Sequence, residues 1–334
     1  MAGVSHLRLR WIVLGLLVVV FLVPAAMLTV ARVVQPMSGA WVRLVSFTPY
    51  AVPLYAVAAL LLVLPWLRGR GAWRATSRLL VVTALLGVAV HAYWASGPYL
   101  GTTTAAQGDA RLHVMTSNLL RGQANTSRVV EVAVDRDVDV LVLQEITSQA
   151  LSRLRAAGID KAFAHSAGKA EPGTHGTMVF SSRPLRGVRR LDTGLGGFVM
   201  QVSLADRSVD LLAVHPLPPI GDALAWRADH RVLRQAARGL DGPAMIVGDL
   251  NATMDHQPMR ELVGRGYDDA ATQARSRWQP TWPASGEVSR LGFDVPSLVA
   301  IDHVLVKGDL RAIGTESVTI EGSDHRALLA LLAL

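Results

Sequence analysis

The sequence predicts three membrane-spanning helices followed by a separate α/β domain. Two observations carry this reading. The first 100 residues contain no Asp or Glu and are rich in Leu, Val, Ala and Trp, whereas residues 105–334 have the mixture of a soluble domain. Beyond residue 110, short apolar runs alternate with helical periodicities, and acids, amides and histidines gather at the ends of those runs.

The membrane part comes first. No charged residue occurs from Trp11 to Ala31, from Leu44 to Leu67, or, His91 apart, from Leu79 to Tyr99. About 20 apolar residues cross a bilayer core of about 30 Å. Spans are therefore expected at about 11–31, 44–67 and 79–99. Trp11, Trp41, Trp66, Trp94 and Tyr99 lie near their ends, where amphipathic rings prefer the interface. The first run is too long for a cleaved signal peptide, whose apolar region is about 7–15 residues. Pro24, Pro49, Pro53 and Pro65 are compatible with membrane helices, where proline is more frequent than in soluble ones. An ionisable residue inside a span, here His91, is a functional candidate by default.

Orientation follows from basic residues in short loops. Arg8 and Arg10 precede the first span, and Arg68, Arg70, Arg74 and Arg78 separate the second from the third. Only Arg32 and Arg43 lie between the first and second. The expectation is a cytoplasmic N-terminus in a cell membrane and residues 105–334 outside. Gly97-Pro98 and Gly101-Thr102-Thr103-Thr104 read as a linker. The chain then divides into a membrane domain (1–100), a linker (101–110) and a soluble domain (111–334).

In the soluble domain, strands are expected at Arg111–Ser117, Val138–Gln144, Thr177–Ser181, Phe198–Leu204, Ser208–Val214, Ala244–Val247, Ala300–Val306 and Ala327–Leu334. Helices are expected at about 125–136, 147–157, 223–239 and 256–264. Asn118, Glu145, His215, Asp249 and Asn251 fall at or just past strand ends; Asp302 lies inside a strand, and Asp324 and His325 precede the last one. One acid at a strand end is usually a cap or turn residue. Seven such places with groups suited to a hard cation or a phosphate mark a site built on a rigid scaffold.

Other function classes are narrowed by composition. There is no cysteine, which excludes disulfides and thiolate chemistry, and no serine nucleophile motif is present. The net charge of +7 is compatible with anionic lipid or nucleic acid as a partner.

Ser117-Asn118, Leu143-Gln144-Glu145, Val214-His215, Val247-Gly248-Asp249-Leu250-Asn251-Ala252, Ile301-Asp302-His303-Val304 and Gly322-Ser323-Asp324-His325-Arg326 occur in this order. Residues 110–334 thereby resemble the endonuclease/exonuclease/phosphatase (DNase I-like) superfamily. The three spans before such a domain are similar to a membrane subgroup that includes the VanJ-type glycopeptide (teicoplanin) resistance proteins. The resemblance implies a four-layer α/β (α+β) sandwich, two packed mixed sheets flanked by helices. It implies a metal-dependent hydrolase acting on phosphoester or phosphoanhydride bonds, with Mg²⁺ as cofactor and Mn²⁺ as the alternative.

Residue chemistry and the resemblance together assign roles. Glu145 and, on the resemblance, Asp324 are the metal carboxylates, since Mg²⁺ keeps several waters and needs only one or two. Asn118, Asn251 and His215 bind phosphate. Asp249 orients or deprotonates the attacking water, and an Asx turn is its bland alternative. Asp249 and Asn251, two apart, would point to one side of an extended segment. His325 binds or protonates a phosphate oxygen, and on the resemblance Asp302 is its partner. His215 protonates the leaving oxygen. His303 should face away from Asp302. His165, His175, His230 and His256 read as surface or loop residues. Arg183 and Arg227 are the candidates for a further phosphate contact that the superfamily places mid-chain.

The expected partners are a lipid bilayer and a phosphorylated or lipid-linked substrate such as undecaprenyl pyrophosphate. A membrane-tethered nuclease is the alternative. It would draw on Arg275, Arg277, Trp278 and Trp282, but the sequence shows no broad basic track. A non-catalytic binding module is disfavoured, because no core polar position of the motif set is missing.

Overall fold

Apolar strands from two sheets meet face to face in the C-terminal part of the chain. The structure, a computed structural model, describes residues 2–101, 110–284 and 295–334, with side chains from residue 9 onward. Residues 102–109 of the expected linker and the side chain of Arg8 lie outside the described residues. The chain forms two compact units, Met1–Ser96 and Gly97–Leu334.

The first unit holds α1 (Ala2–Val34), α2 (Gly39–Val45), a 3₁₀ turn (Thr48–Tyr50), α3 (Ala51–Arg68) and α4 (Gly71–Ala95). Three stretches are long and apolar enough to cross a membrane: Leu9–Val34, Thr48–Arg68 and Gly71–Ala95. Two expected spans change shape. The second apolar run breaks around residues 46–50, where Pro49 sits at the start of the 3₁₀ turn. The third helix starts at Gly71, taking in Arg74 and Arg78, and ends at Ala95, so Tyr99 falls in a separate helix of the second unit. Leu16, Val20, Leu60, Leu79 and Leu86 are each more than half exposed on the outside of this unit.

His91 is fully buried in it. Its Nδ1 lies 3.0 Å from the Thr48 carbonyl, which can only accept, so this nitrogen donates. Its Nε2 lies 2.9 Å from Thr29 Oγ1, which in turn meets the Tyr55 hydroxyl at 2.7 Å. The imidazole thus ties α1, α3 and the 3₁₀ turn to α4.

The second unit continues with α5 (Gly97–Leu100), β1 (Arg111–Asn118), α6 (Thr126–Asp135), β2 (Val140–Gln144), α7 (Ser148–Ala156), α8 (Ile159–Ala162), β3 (His165–Lys169), β4 (Thr177–Ser181), β5 (Leu185–Arg190), β6 (Gly197–Ser203), β7 (Ser208–Val214), α9 (Ala223–Arg238), β8 (Ala244–Asp249), α10 (Gln257–Val263), β9 (Tyr267–Asp269), α11 (Ala270–Gln273), β10 (Asp302–Lys307), β11 (Arg311–Thr319) and β12 (Arg326–Ala333). One sheet has the order β11-β12-β1-β2-β4-β3 and the other β5-β6-β7-β8-β10-β9. Both mix parallel and antiparallel pairs.

Alternation along the strands builds the layers. Leu112, Val114, Val140 and Val142 of the first sheet pack against Leu211, Ala213, Met245, Val247 and Val304 of the second. The residues between them, Met115, Leu141 and Leu143, face outward onto Val129, Ala133, Ala150 and Leu154 of α6 and α7. On α9, Ala223, Trp226, His230, Leu233 and Ala237 form the buried face at helical spacing. The result is two packed mixed sheets flanked by helices, as expected. The four strands not expected from the sequence, β3, β5, β9 and β11, are the four sheet edges.

Gly248 fixes the spacing beneath the polar edge of the second sheet. It pairs with Val214 of β7 and His303 of β10. A Cβ built there would lie 2.0 Å from the Val214 carbonyl oxygen and 3.2 Å from Gln144 Nε2. Gly248→Ala should therefore push β7 and β8 apart and cost on the order of 2–4 kcal/mol. Thermal denaturation of the purified full chain checks this, and an unchanged melting temperature would contradict it.

Candidate functional site

Strand direction gathers the polar residues. β1 and β2 are parallel, as are β7 and β8; β12 runs antiparallel to β1, and β10 antiparallel to β8. The last residues of β1, β2, β7 and β8 and the first residues of β10 and β12 consequently share an edge of their sheets. Asp302 begins β10 directly opposite Asp249, rather than lying inside a strand as expected, and Asn118 stands opposite Gln144.

Two contacts join the sheets at this edge. Asn118 Nδ2 donates to Asp249 Oδ2 at 3.1 Å and to Glu145 Oε1 at 3.2 Å. His325 Nδ1 donates to Asp302 Oδ2 at 2.9 Å. Asp249 Oδ2 also lies 3.6 Å from His215 Nε2 and 3.7 Å from His325 Nε2. Asn118, Asp249, Asp302, His215 and His325 are all nearly fully buried, while Glu145 and Asp324 are half-buried.

Burial and charge set the protonation states. Burial alone would push the His325 imidazole down, but Asp302, Asp249 and Asp324 together outweigh it and hold the ring at about 10. His325 is thus a cation at neutral pH. Burial pushes His215 below the usual imidazole range, only partly opposed by Asp249. Burial raises the carboxyl of Asp249, and the charge of Asp302 adds to this, against the pull of His325 and His215. One edge therefore offers a fixed cation, a neutral imidazole and a carboxylate of increased basicity.

The loops are locked by the main chain. Asp249 Oδ1 accepts the Asn251 N–H at 2.8 Å, the Asx turn weighed above, while its Oδ2 still faces the histidines. Asn251 has φ 48°, so the segment is not extended there. Asn251 is instead placed by its Nδ2 donating to the Pro216 carbonyl and its own carbonyl accepting from Trp226 Nε1, both at 3.0 Å. Glu145 has φ 56°, and its Oε2 accepts the Arg121 N–H at 2.7 Å. Left-handed backbone at non-glycine residues is uncommon and concentrates at functional sites.

Several sequence expectations are redirected. Arg183 pairs with Asp139 at 3.2 Å, just before β2 and so at the opposite end of that strand from Glu145. Arg227 joins other arginines on α9. His230 and His256 are not surface residues: both are buried edge-on against Trp226. His303 does turn away from Asp302, bonding Asp269 and the Ala252 carbonyl at 3.0 Å each. Trp282 Nε1 donates to Asp324 Oδ2 at 3.4 Å. Arg275 donates to the Gly101 carbonyl, and the Arg277 N–H to the Pro98 carbonyl at 3.0 Å.

The sequence reading missed the supporting residues. Thr281 Oγ1 accepts the N–H groups of Ile301 and Asp302. Ser323 Oγ donates to the Asn118 carbonyl at 2.7 Å and accepts the His325 N–H. Gln144 is held by Thr116 at 3.0 Å. Ser323 and Gln144 stand inside motifs quoted above, and that was their only signal.

The donor set fits a hard cation. Glu145 and Asp324 are half-open carboxylates of the kind that binds Mg²⁺, and the Asn118 amide links Glu145 to Asp249. Ligand atoms of Asp249, Asp302 and His325 also lie within 4.8 Å of one another. His325 Nδ1 is turned to Asp302, and the surrounding carboxylates favour the ring's cationic form, which has no lone pair for a metal.

Fold and site together define a DNase I-like hydrolase of phosphoester bonds. Residues 115–325 match the Endonuclease/Exonuclease/phosphatase family, and the chain belongs to it. Members of that family are metal-dependent hydrolases acting on phosphoester bonds. No curated protein matches the sequence. Among solved structures, an endonuclease/exonuclease/phosphatase from Beutenbergia cavernae is 20% identical, over 67% of this chain and 72% of that one, with TM-score 0.52. TDP2 of D. rerio, solved with a single-strand DNA product, is 13% identical over 68% of this chain and 100% of that one, with TM-score 0.53. A mannosyl-6-phosphatase from Bacteroides thetaiotaomicron is 15% identical over 67% and 100%, with TM-score 0.50. At these identities the likeness concerns the fold.

The ring of His325 reports the pairing directly. Removing the Asp302 charge should lower its pKa from about 10, because a carboxylate that favours the cation is lost. A histidine-ring NMR titration of metal-free wild type and Asp302→Asn measures this. The pair's contribution to stability should be complete below the ordinary imidazole pKa of about 6.5 and vanish as pH rises through about 10. An unchanged ring pKa in the variant would dismiss the pairing.

Proposed function

We propose that this chain is a membrane-anchored, Mg²⁺-dependent phosphoesterase whose active site faces away from the cytoplasm and whose substrate is a lipid-linked phosphate or pyrophosphate. The observation that carries the reading is the presence, in one chain, of a phosphoester-hydrolase site and three helices that could cross a membrane. Peptide linkage to bilayer-spanning helices gives such a site a high effective concentration of lipid headgroups. Undecaprenyl pyrophosphate has the required chemistry, and the resemblance to VanJ-type proteins adds a role in glycopeptide resistance.

The residues divide the work. Asp249, with its raised basicity and its side chain fixed by Asn118, takes the proton of the attacking water. The His325 cation, oriented by Asp302, binds a phosphoryl oxygen with a charge that is already in place. Asn251 adds a neutral donor through its second amide hydrogen, while Asn118 holds Asp249 and Glu145 in place. His215, a neutral imidazole, donates a hydrogen bond to the leaving oxygen. Glu145 and Asp324 would hold the ion, which supplies charge neutralisation at the phosphoryl group when bound.

A second reading, a membrane-tethered nuclease, has the TDP2 fold likeness and the closeness of Trp282 to Asp324 in its favour. Assaying the full chain on a lipid pyrophosphate, a phosphodiester and DNA, each with Mg²⁺ or EDTA, separates the two readings. The expected result is Mg²⁺-dependent release of phosphate from the lipid substrate. Glu145→Gln should abolish it while the domain stays folded, and near-normal turnover of that variant would show the ion to be held elsewhere.

Orientation has its own test. Six basic residues flank the expected cytoplasmic side against two outside. A phosphatase reporter fused after Ala106 should be active only when exported. Activity confined to a cytoplasmic reporter would reverse the placement of the site.

A further inference from the structure

Helix α9 carries arginines at 227, 231, 234 and 238. Spacings of four, three and four residues put them within about 60° of arc and along about 16 Å of the axis, at 3.6 residues per turn and 1.5 Å rise. They border the buried face of the helix. Arg231 and Arg238 are exposed, while Arg227 and Arg234 are half-buried. The guanidinium of Arg234 is pushed below its usual range, first by burial and then by Arg238, Arg265, Arg231 and Arg227. Arg265 follows α10, so five basic groups from two elements share one field. Glu261 pairs with Arg234.

At the N-terminal end of the helix, Ile220 and Leu224 are 65% and 64% exposed. By helical geometry Leu224 sits beside the column of arginines, just beyond Arg231. A basic stripe flanked by exposed aliphatic side chains is the pattern of an interfacial helix, which sets cations on lipid phosphates and short apolar groups into the headgroup boundary.

We propose that this face of α9 docks on an anionic lipid bilayer, with the exposed Arg231, Arg238 and Arg265 toward the lipid phosphates and Ile220 and Leu224 entering the headgroup layer. Charge complementarity selects a polyanion, and the three apolar helices of the same chain make a bilayer the polyanion at hand. A single-stranded nucleic acid would stack on exposed aromatic rings. The aromatic residue of α9, Trp226, is instead 1% exposed and bonded to Asn251.

The same helix supports the candidate site. The Asp229 carboxylate accepts the Gly194 and Leu217 N–H groups, and Leu217 follows His215 by two residues. A docked α9 would thus set the angle at which the site edge meets the lipid. The inference concerns binding alone and stands whether or not the proposed reaction is correct.

The chain has no cysteine, so Leu224→Cys accepts a single fluorophore. The labelled full chain is reconstituted in phosphatidylcholine vesicles, with or without phosphatidylglycerol, that carry headgroup-level quenching lipids. Docking predicts strong quenching only with phosphatidylglycerol. Raising salt from about 0.1 to about 1 M, which shortens the screening length from about 10 to about 3 Å, should reverse it. Adding Arg231→Glu with Arg238→Glu should reduce quenching to the neutral-vesicle level, whereas the corresponding Lys pair should retain it; thermal melts verify that both are folded. Equal quenching in both vesicle types, none in either, or persistence in the Glu pair would overturn the proposal. A response to a single-stranded oligonucleotide in neutral vesicles, lost in the Glu pair, would make the stripe a nucleic-acid surface instead.

Discussion

A buried imidazolium is tolerated only where carboxylates surround it, and His325 meets that demand across the seam between two sheets. The ring belongs to the turn into β12, its hydrogen-bonded carboxylate Asp302 to the start of β10, and its second acidic neighbour Asp249 to the end of β8. Leaving any of these charges buried alone would be costly. The need to pair them fixes which strand ends must face each other. Asn118 makes the reverse connection, reaching from β1 to Asp249 and to Glu145 after β2.

Around this seam the backbone is arranged for the polar groups more than for regular structure. Glu145 and Asn251 adopt left-handed conformations, and Gly248 lets β7 approach without a side chain between. Trp226, Thr281 and Ser323 each satisfy a main-chain group of the loops that hold the site residues. Such a shell keeps donors aimed before a substrate arrives, the condition under which fixed dipoles stabilise developing charge.

The sequence disclosed the interior of the sandwich and the list of polar residues at its edge. The eight strands it revealed are those with neighbours on both sides, whose apolar runs come from burial on both faces. β3, β5, β9 and β11 border the sheets, and segments such as His165–Lys169 and Leu185–Arg190 carry the polar and basic side chains that keep open edges from pairing with other chains. No hydrophobic run marks them. The burial of His230 and His256 was equally hidden, since a histidine on a helix or in a loop has no pattern until Trp226 is seen to pack on it. The arginines of α9 were visible as letters, but a stripe exists only once the helix phase and the position of Arg265 are known.

Half of the polar edge rides on each sheet, so the thickness of the sandwich sets the reach between His325 and Asp302 and between Asn118 and Asp249. The side chains that determine this thickness, among them Val114, Val142, Met245 and Val304, are apolar and remote from any chemistry. Their volumes act as spacers in a calliper whose jaws are the polar groups of the two sheets. A change in the size of these core residues would therefore be felt at the polar edge as a change in the distance between the two jaws.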